Sequence, residues 1–414
     1  GPGAWLMAVV VARDVHEVSL MSPSLERVMR VFLIAVAVTT SLNMLATEPV
    51  SAQGQLEIFG FFQNTFSHTT RLKTQFEEDA ERNSFSVQQQ NLFFQRDLDR
   101  RWRAFVNYEF VNSFSTGRQW GSASLEEVWI RYRAGRRLSV KLGQSIPAFN
   151  NLNQIKTRTP LLPYIIRPLV YEASFSDNIA IEEYLPQRAF IQAYGSLPRD
   201  RLKLDYAVYV GNSPNINNMP DAGQTGVDTT DSFLVGGRLG LRYDDLKAGF
   251  SVTRDHLDSP GTLTLSTGET LSLKQLTRRR LGGDLSWLFG DWYLESEGIW
   301  VTYDDDSPEV SEDKQFFYAT LGYRAGERLF LFASYWHADE DFTETVSFVN
   351  GGSSVERGET GIKVPNVGAS YQLRDSVILK VHLAQVQITG VIPNLSLRQD
   401  GDFYHLSTAV SVVF

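Results

Sequence analysis

The chain contains no cysteine, which excludes disulfide frameworks, thiolate catalysis and cysteine-ligated zinc sites, and suits passage through an oxidising compartment. Histidine is scarce as well. His16, His68, His256, His337, His382 and His405 are scattered without metal-ligand spacing, so no metal and no cofactor is expected. No nucleophile elbow, HExxH-type helix or phosphate-cradling glycine loop occurs, and no enzyme is expected. A net charge of −9, without a basic cluster interleaved with aromatics, argues against nucleic acid as a partner. Long apolar runs are missing beyond residue 52, so helical membrane spans are excluded.

The one apolar run lies near the start. Arg27 and Arg30 precede Val31–Val38, which continues more weakly to Ala46 and is interrupted by Asn43, Glu48 and Pro49. Val50-Ser51-Ala52 then offers small residues where a signal peptidase cuts. Basic region, short apolar region and small-residue site describe a secretory leader, with a retained N-terminal anchor as the alternative. Residues 1–52 are therefore read as leader. The stretch before about Met21 or Met29 is read as a misassigned start, because the chain opens on Gly1 and either methionine makes a better first residue.

Residues 53–414 carry one repeated pattern. Leu202, Leu204, Tyr206, Val208 and Val210 alternate with Lys203, Asp205, Ala207, Tyr209 and Gly211; Leu246, Ala248, Phe250 and Val252 alternate with Lys247, Gly249, Ser251 and Thr253. Period-two alternation of apolar with small or polar residues is a strand whose two faces meet different solvents. Tight turns (Asp97–Arg100, Gly135–Arg137, Pro198–Asp200, Asp244-Asp245, Phe289–Asp291, Gly326–Arg328, Arg374-Asp375) take turns with long polar stretches such as Thr69–Asn83, Pro147–Asn178, His256–Thr277 and Glu340–Ile362. About sixteen strands result, near 55–67, 85–96, 102–114, 123–134, 138–146, 187–197, 202–211, 233–243, 246–255, 279–289, 292–303, 315–325, 329–338, 363–373, 376–389 and 403–414. The stretch around Gln88-Gln89-Gln90 is the hardest to phase. An even count with segregated turn lengths predicts an all-β fold: a transmembrane antiparallel up-and-down β-barrel with an aqueous lumen, residues 53–414 forming a single barrel. The 12% aromatic content suits interfacial girdles. Phe414 closes the last strand and should sit at the seam, against the first one.

Leu125–Arg133, a glycine turn, Leu138–Gln144 with Pro147 and Phe149, and Pro160–Val170 together resemble the phosphate-selective porin O/P family. Leu56–Phe61 looks like the first strand of the same group. The resemblance implies a homotrimer in the bacterial outer membrane, in contact with its lipid and lipopolysaccharide. It also implies a terminal phenylalanine read by the barrel-assembly machinery, and a third long loop, here Pro147–Asn178, that folds inward and narrows the lumen. The family's phosphate specialists line their pores with a ladder of Arg and Lys.

On the alternation phase the lumen receives Arg103, Arg131, Arg133, Lys141, Arg188, Arg238, Arg242 and Arg280, with Lys203, Lys247, Arg324 and Lys380. Opposite them stand Glu109, Glu127, Asp205, Asp284, Glu295 and Glu297. A cationic excess inside an acidic chain favours anion entry, although pairing with these carboxylates weakens the bias. In the expected constriction loop, Lys156, Arg158 and Arg167 precede the acidic Glu172, Asp177, Glu182 and Glu183; they set a transverse field or pin the loop by salt bridges. The reading is a passive diffusion channel for small hydrophilic solutes with a mild anion preference, phosphate among the candidate anions. The alternatives are a non-channel surface barrel acting as adhesin or structural protein, and a sugar or organic-acid porin. The acidic Asp304–Asp313 stretch lacks a defined ligand spacing and reads as a solvated loop.

Overall fold

The structure is a computed structural model that describes residues 54–70, 81–115, 119–172, 181–214, 226–230, 232–256, 261–264, 270–273, 277–304, 312–347, 353–392 and 397–414. The leader expected over 1–52 lies outside the described residues, as does the 173–178 end of the expected inward loop.

Alternation carries through to the backbone. The strands are β1 (Glu57–Thr69), β2 (Arg82–Asp97), β3 (Trp102–Ser115), β4 (Gln119–Arg133), β5 (Ser139–Ser145), β6 (Ala189–Arg199), β7 (Leu202–Asn212), β8 (Phe233–Tyr243), β9 (Leu246–His256), β10 (Gly261–Thr264), β11 (Thr270–Leu273), β12 (Thr277–Phe289), β13 (Trp292–Asp304), β14 (Glu312–Ala325), β15 (Leu329–Ser347), β16 (Ser353–Arg374), β17 (Val377–Ile392) and β18 (Leu397–Val413). β10 and β11 pair only with each other, and the other sixteen form a closed antiparallel barrel in which each strand pairs with its neighbours along the chain. Closure leaves no unpaired edge, which is the condition for spanning a medium without hydrogen-bonding solvent.

All sixteen expected segments are barrel strands. The ends differ most at β15 and β16, which run through the stretch expected to be a loop and stay paired as far as Ser347 and Ser353. Backbone pairing does not depend on hydropathy, so a polar hairpin continues beyond the apolar band that the sequence pattern reports. The β10–β11 hairpin in the expected loop 256–277 is short and was invisible for the same reason. The glutamine run is hard to phase because a bulge sits there: Gln63 pairs with Gln89 but Asn64 with Val87.

The tight turns obey local chemistry. Asp200, Asp244, Gly290 and Gly326 adopt positive φ (52°, 48°, 63° and 80°), the left-handed conformation that Gly and Asp tolerate and that two-residue hairpins need. The seam closes between β1 and β18, with Phe61 opposite Val413. Gly60 N–H donates to the Phe414 carbonyl at 2.9 Å, and Phe414 N–H donates back to Gly60 at 3.0 Å.

The two faces differ as the alternation requires. Outward residues on β7 and β8 such as Val208 (58% exposed) and Leu239 (56%) are apolar and bare, whereas inward Tyr209 and Ala207 are buried. Along β18, Tyr404, Leu406, Val410 and Phe414 face out and Ser407, Ala409 and Ser411 face in. An apolar outer face with a mixed inner face is the division a membrane barrel shows.

Candidate functional site: the inner face and the segment between β5 and β6

The connection from β5 to β6 is rich in proline. Pro147, Pro160, Pro163 and Pro168 remove backbone donors and forbid a continuous helix. The chain therefore breaks into short pieces: α1 (Leu152–Ile155), 3₁₀ turns at Lys156–Leu161 and Leu169–Tyr171, and α2 (Ile181–Tyr184).

Each piece is held by side chains from the buried, inward side of distant strands. Glu297 of β13 accepts the N–H groups of Asn151 (3.0 Å) and Leu152 (2.7 Å) and the Tyr171 hydroxyl (2.5 Å). Ser251 of β9 accepts from Asn150 N–H at 2.9 Å. Gln63 of β1 donates to the Ile165 carbonyl, and Gln89 of β2 to that of Thr157. Lys380 of β17 gives its three donors to the carbonyls of Thr159 and Tyr164 (3.0 Å each) and to Gln63 Oε1 (2.9 Å). Gly282 of β12 makes room: a Cβ there would lie 2.2 Å from Asn150 Oδ1.

Apolar packing completes the anchorage. Phe149, Leu152, Ile165 and Leu169 bury themselves against inward Ile299, Phe316, Tyr318, Trp336, Val364 and Val386. Fully burying each such side chain contributes about 1.5–3 kcal/mol. The inner wall thus has two halves. From β13 to β18 apolar side chains stand among Glu295, Glu297, Lys314, Lys380 and His382, and the segment packs on them. From β3 to β12 the wall carries the remaining basic residues.

Most of the expected lumen cations are on that half, and pairing sorts them. Arg103 lies 2.5 Å from Asp97, Arg238 2.6 Å from Asp284, and Arg242 2.5 Å from Asp205. Arg280 is fully buried: it reaches Asp255 at 3.1 Å, Thr253, and the Glu183 carbonyl at 2.6 Å. Arg131 stands in register between Arg103 and Lys141, three cations abreast on β3, β4 and β5. Among the described residues no carboxylate forms an ion pair with Arg131, Lys141, Arg133 or Arg188. Like charges directly opposite are unfavourable, and Lys141 relieves this by lying over the Trp129 ring at 4.7 Å. Arg133 sits at the end of β4 and lines a cavity of about 450 Å³ with Arg136, Arg137, Asp205 and Arg242. A second cavity of about 330 Å³, lined by Lys141, Gln154, Gln192 and Arg238, adjoins it through Tyr194 and Asp205.

The expected loop residues divide. Arg167 donates to the Lys156 carbonyl at 2.9 Å and lies 3.6 Å from Glu172, whose carboxylate also accepts Arg167 N–H. These three are brought together inside the segment. Arg158 is exposed. Burial, and then the charge of Arg167, push the Lys156 ammonium down to about 8. Glu183 pairs instead with Lys314 of β14 at 2.7 Å.

Two structural roles escaped the sequence reading. Arg278 holds Asp255 in a two-point pair (3.0 and 2.8 Å); it falls between the expected loop 256–277 and the expected strand 279–289, although it continues the 280, 282, 284 phase back by one step. Glu297 was read as a lumen acid, with no local signal that it anchors backbone from β5–β6.

The fold is that of bacterial outer-membrane barrels. The anion-selective porin from Comamonas acidovorans superposes with a TM-score of 0.55 at 12% identity, covering 87% of this chain and 100% of its own. The outer-membrane channel DcaP of Acinetobacter baumannii gives 0.53 at 12%, covering 89% and 100%. OmpT, an outer-membrane protein of Vibrio cholerae, gives 0.52 at 10%, covering 88% and 99%. No protein-family model matches the sequence, and no curated protein matches it.

Proposed function

We propose that this protein is an outer-membrane porin, a passive diffusion channel for small hydrophilic solutes with a mild anion preference that extends to phosphate. One observation carries the reading. The β5–β6 segment packs on apolar side chains of the wall from β13 to β18, while Arg133, Lys141, Arg238 and Arg242 line two adjoining cavities along β4 to β8. In that arrangement the segment narrows the lumen and leaves a passage along the cationic wall, where fixed positive charge concentrates anions. Arg131 and Lys141 supply the charge least compensated by carboxylates, and Arg158 adds to it from the segment. Similarity in fold to an anion-selective porin and to a channel supports the same reading.

Further elements belong to this proposal. Residues 1–52 direct export and are removed, which N-terminal sequencing of the mature protein tests. Phe414, at the seam, is the signature the barrel-assembly machinery reads. The bare apolar outer face meets outer-membrane lipid, with lipopolysaccharide around the loops. Outward Asn64, Gln90 and Thr408 near the seam are polar where lipid contact is unfavourable, which supports a homotrimer that covers them. OmpT of Vibrio cholerae has been seen in a trimer form. Membership in the phosphate-selective porin O/P family rests on the sequence resemblance.

Planar-bilayer recording decides the matter. Discrete conductance steps and a reversal potential displaced toward the anion equilibrium potential in a KCl gradient are expected. Absence of steps would leave a non-conducting surface barrel in place of a porin.

A further inference from the structure

Connections alternate between the two ends of an up-and-down barrel. Turns β2–β3, β4–β5, β6–β7, β8–β9, β12–β13, β14–β15 and β16–β17 therefore share one end. Their charge is divided by sector. With the strand residues that flank them, the first three turns hold seven arginines against three carboxylates. The other four hold two arginines against five carboxylates. All seven arginines are exposed. Two of the three carboxylates beside them are occupied: Asp97 holds Arg103, and Asp99 accepts the backbone N–H groups of Arg101 (2.6 Å) and Trp102 (2.8 Å). Among the described residues only Arg201 of the seven forms an ion pair, with Asp244 at 3.6 Å, and both partners are exposed. Such a pair contributes little. Arg133, Arg136 and Arg137 border the 450 Å³ cavity, which leaves Arg100, Arg101, Arg199 and Arg201 for the rim.

Apolar anchors are divided the same way. The exposed aromatics beside these turns, Tyr243, Trp287, Trp292, Tyr323 and Tyr371, all belong to the acidic sector. The basic sector shows exposed Leu98, Leu138, Leu197 and Leu202 in their place. Bare leucines next to the arginines put the cations at the edge of the apolar band, at headgroup depth. Tyr and Trp hold a barrel at that depth whatever the lipid's charge, whereas the fork of an arginine matches a phosphate.

We infer that the β2–β7 sector of this rim is a binding surface for an anionic phospholipid of the adjoining leaflet, its headgroup phosphate held by Arg100, Arg101, Arg199 and Arg201. The inference rests on the outer-membrane reading and adds a lipid partner to it. The chain as a whole carries a charge of −9 and repels such a lipid, so attraction is confined to the sector where the arginines gather. A soluble polyanion meets the same charge but gains nothing from the leucines.

The test titrates the full-length folded protein in detergent with short-chain phosphatidylglycerol, short-chain phosphatidylcholine and glycerol phosphate at equal ionic strength. Calorimetry reads binding, and planar bilayers read conductance. Phosphatidylglycerol should bind about tenfold more tightly than phosphatidylcholine, the factor that corresponds to ~1.4 kcal/mol. Arg199→Gln together with Arg201→Gln should remove most of that preference. Arg328→Gln together with Arg374→Gln takes the same charge from the acidic sector and should leave the preference intact. Equal binding of the two lipids, or equal loss in the two double variants, overturns the inference. Glycerol phosphate binding as tightly as phosphatidylglycerol overturns it too, in favour of a soluble anion site. Sedimentation with cell-wall sacculi without any lipid preference puts the wall in place of the lipid. Conductance steps without lipid preference leave the porin reading standing. Lipid preference without conductance supports the surface and sinks the porin reading alone.

Discussion

The carboxylate of Glu297 on β13 accepts the backbone N–H of Leu152, 145 residues earlier in the chain, at 2.7 Å. That bond, with those from Asn151 and Tyr171, ties the proline-broken segment to the far wall. Glu297→Ala leaves three donors without this acceptor, and the two buried ones, Leu152 N–H and the Tyr171 hydroxyl, cost about 1–3 kcal/mol each. The variant should unfold at lower urea and conduct in larger, noisier steps. Conductance identical to the parent protein would mean the segment does not limit the passage.

Arg158 and Arg167 should separate cleanly. Arg167 is consumed by the Lys156 carbonyl and Glu172, whereas Arg158 is exposed. Arg158→Gln should lower the anion-to-cation permeability ratio with an unchanged unfolding midpoint. Arg167→Gln should lower the midpoint, because it strips partners from Glu172, which is buried. Equal shifts in reversal potential with no loss of stability in either variant would contradict this division.

The Lys156 ammonium, held down to about 8 by burial and Arg167, is mostly charged at pH 7 and mostly neutral at pH 9. Raising pH across that window removes one positive charge from the segment, so anion preference should decline. Lys156→Met should abolish that part of the pH dependence, measured as reversal potential in a fixed salt gradient.

The seam tolerates little bulk. A Cβ on Gly60 would lie 2.5 Å from the Asn91 carbonyl and 2.9 Å from the Phe414 ring. Gly60→Val should therefore impair barrel closure more than Phe414→Leu does. Heat-modifiable gel mobility and the urea midpoint in lipid vesicles report closure; a fully folded Gly60→Val barrel with the parent midpoint would argue against this packing.

Leu239 lies mid-strand on the outward face of β8 and is 56% exposed. Leu239→Arg places a charge in lipid and should cost about 2–4 kcal/mol in vesicle refolding. A negligible change would mean that this face does not meet the bilayer core.

Much of the fold was legible because it repeats a short-range rule. Alternation at period two, and Asp200, Asp244, Gly290 and Gly326 at turns, are properties of neighbouring residues, and they placed all sixteen barrel strands. The limits of legibility were equally physical. β15 and β16 outrun their apolar band, and the Gln63/Asn64 bulge shifts the phase of its partner strand, so hydropathy alone missed both. At the inner face the alternation phase assigns cations such as Arg131, Lys141 and Arg242 to the lumen side. It did not show that Arg242 pairs with Asp205 while Arg131 stands in register between Arg103 and Lys141.

Chain chemistry by itself determined the barrel: no cysteine, no long apolar run after residue 52, and period-two strands that must close because an open edge is intolerable in lipid. Seam pairing of Phe414 with Gly60 follows from closure. Tertiary structure alone decided that the β5–β6 segment packs on the β13–β18 side of the inner wall while Lys141, Arg238 and Arg242 line cavities on the other side. It also joined Glu297 to Leu152. Those arrangements depend on which strands face one another across the barrel, a relation between residues a hundred or more positions apart that no local pattern encodes.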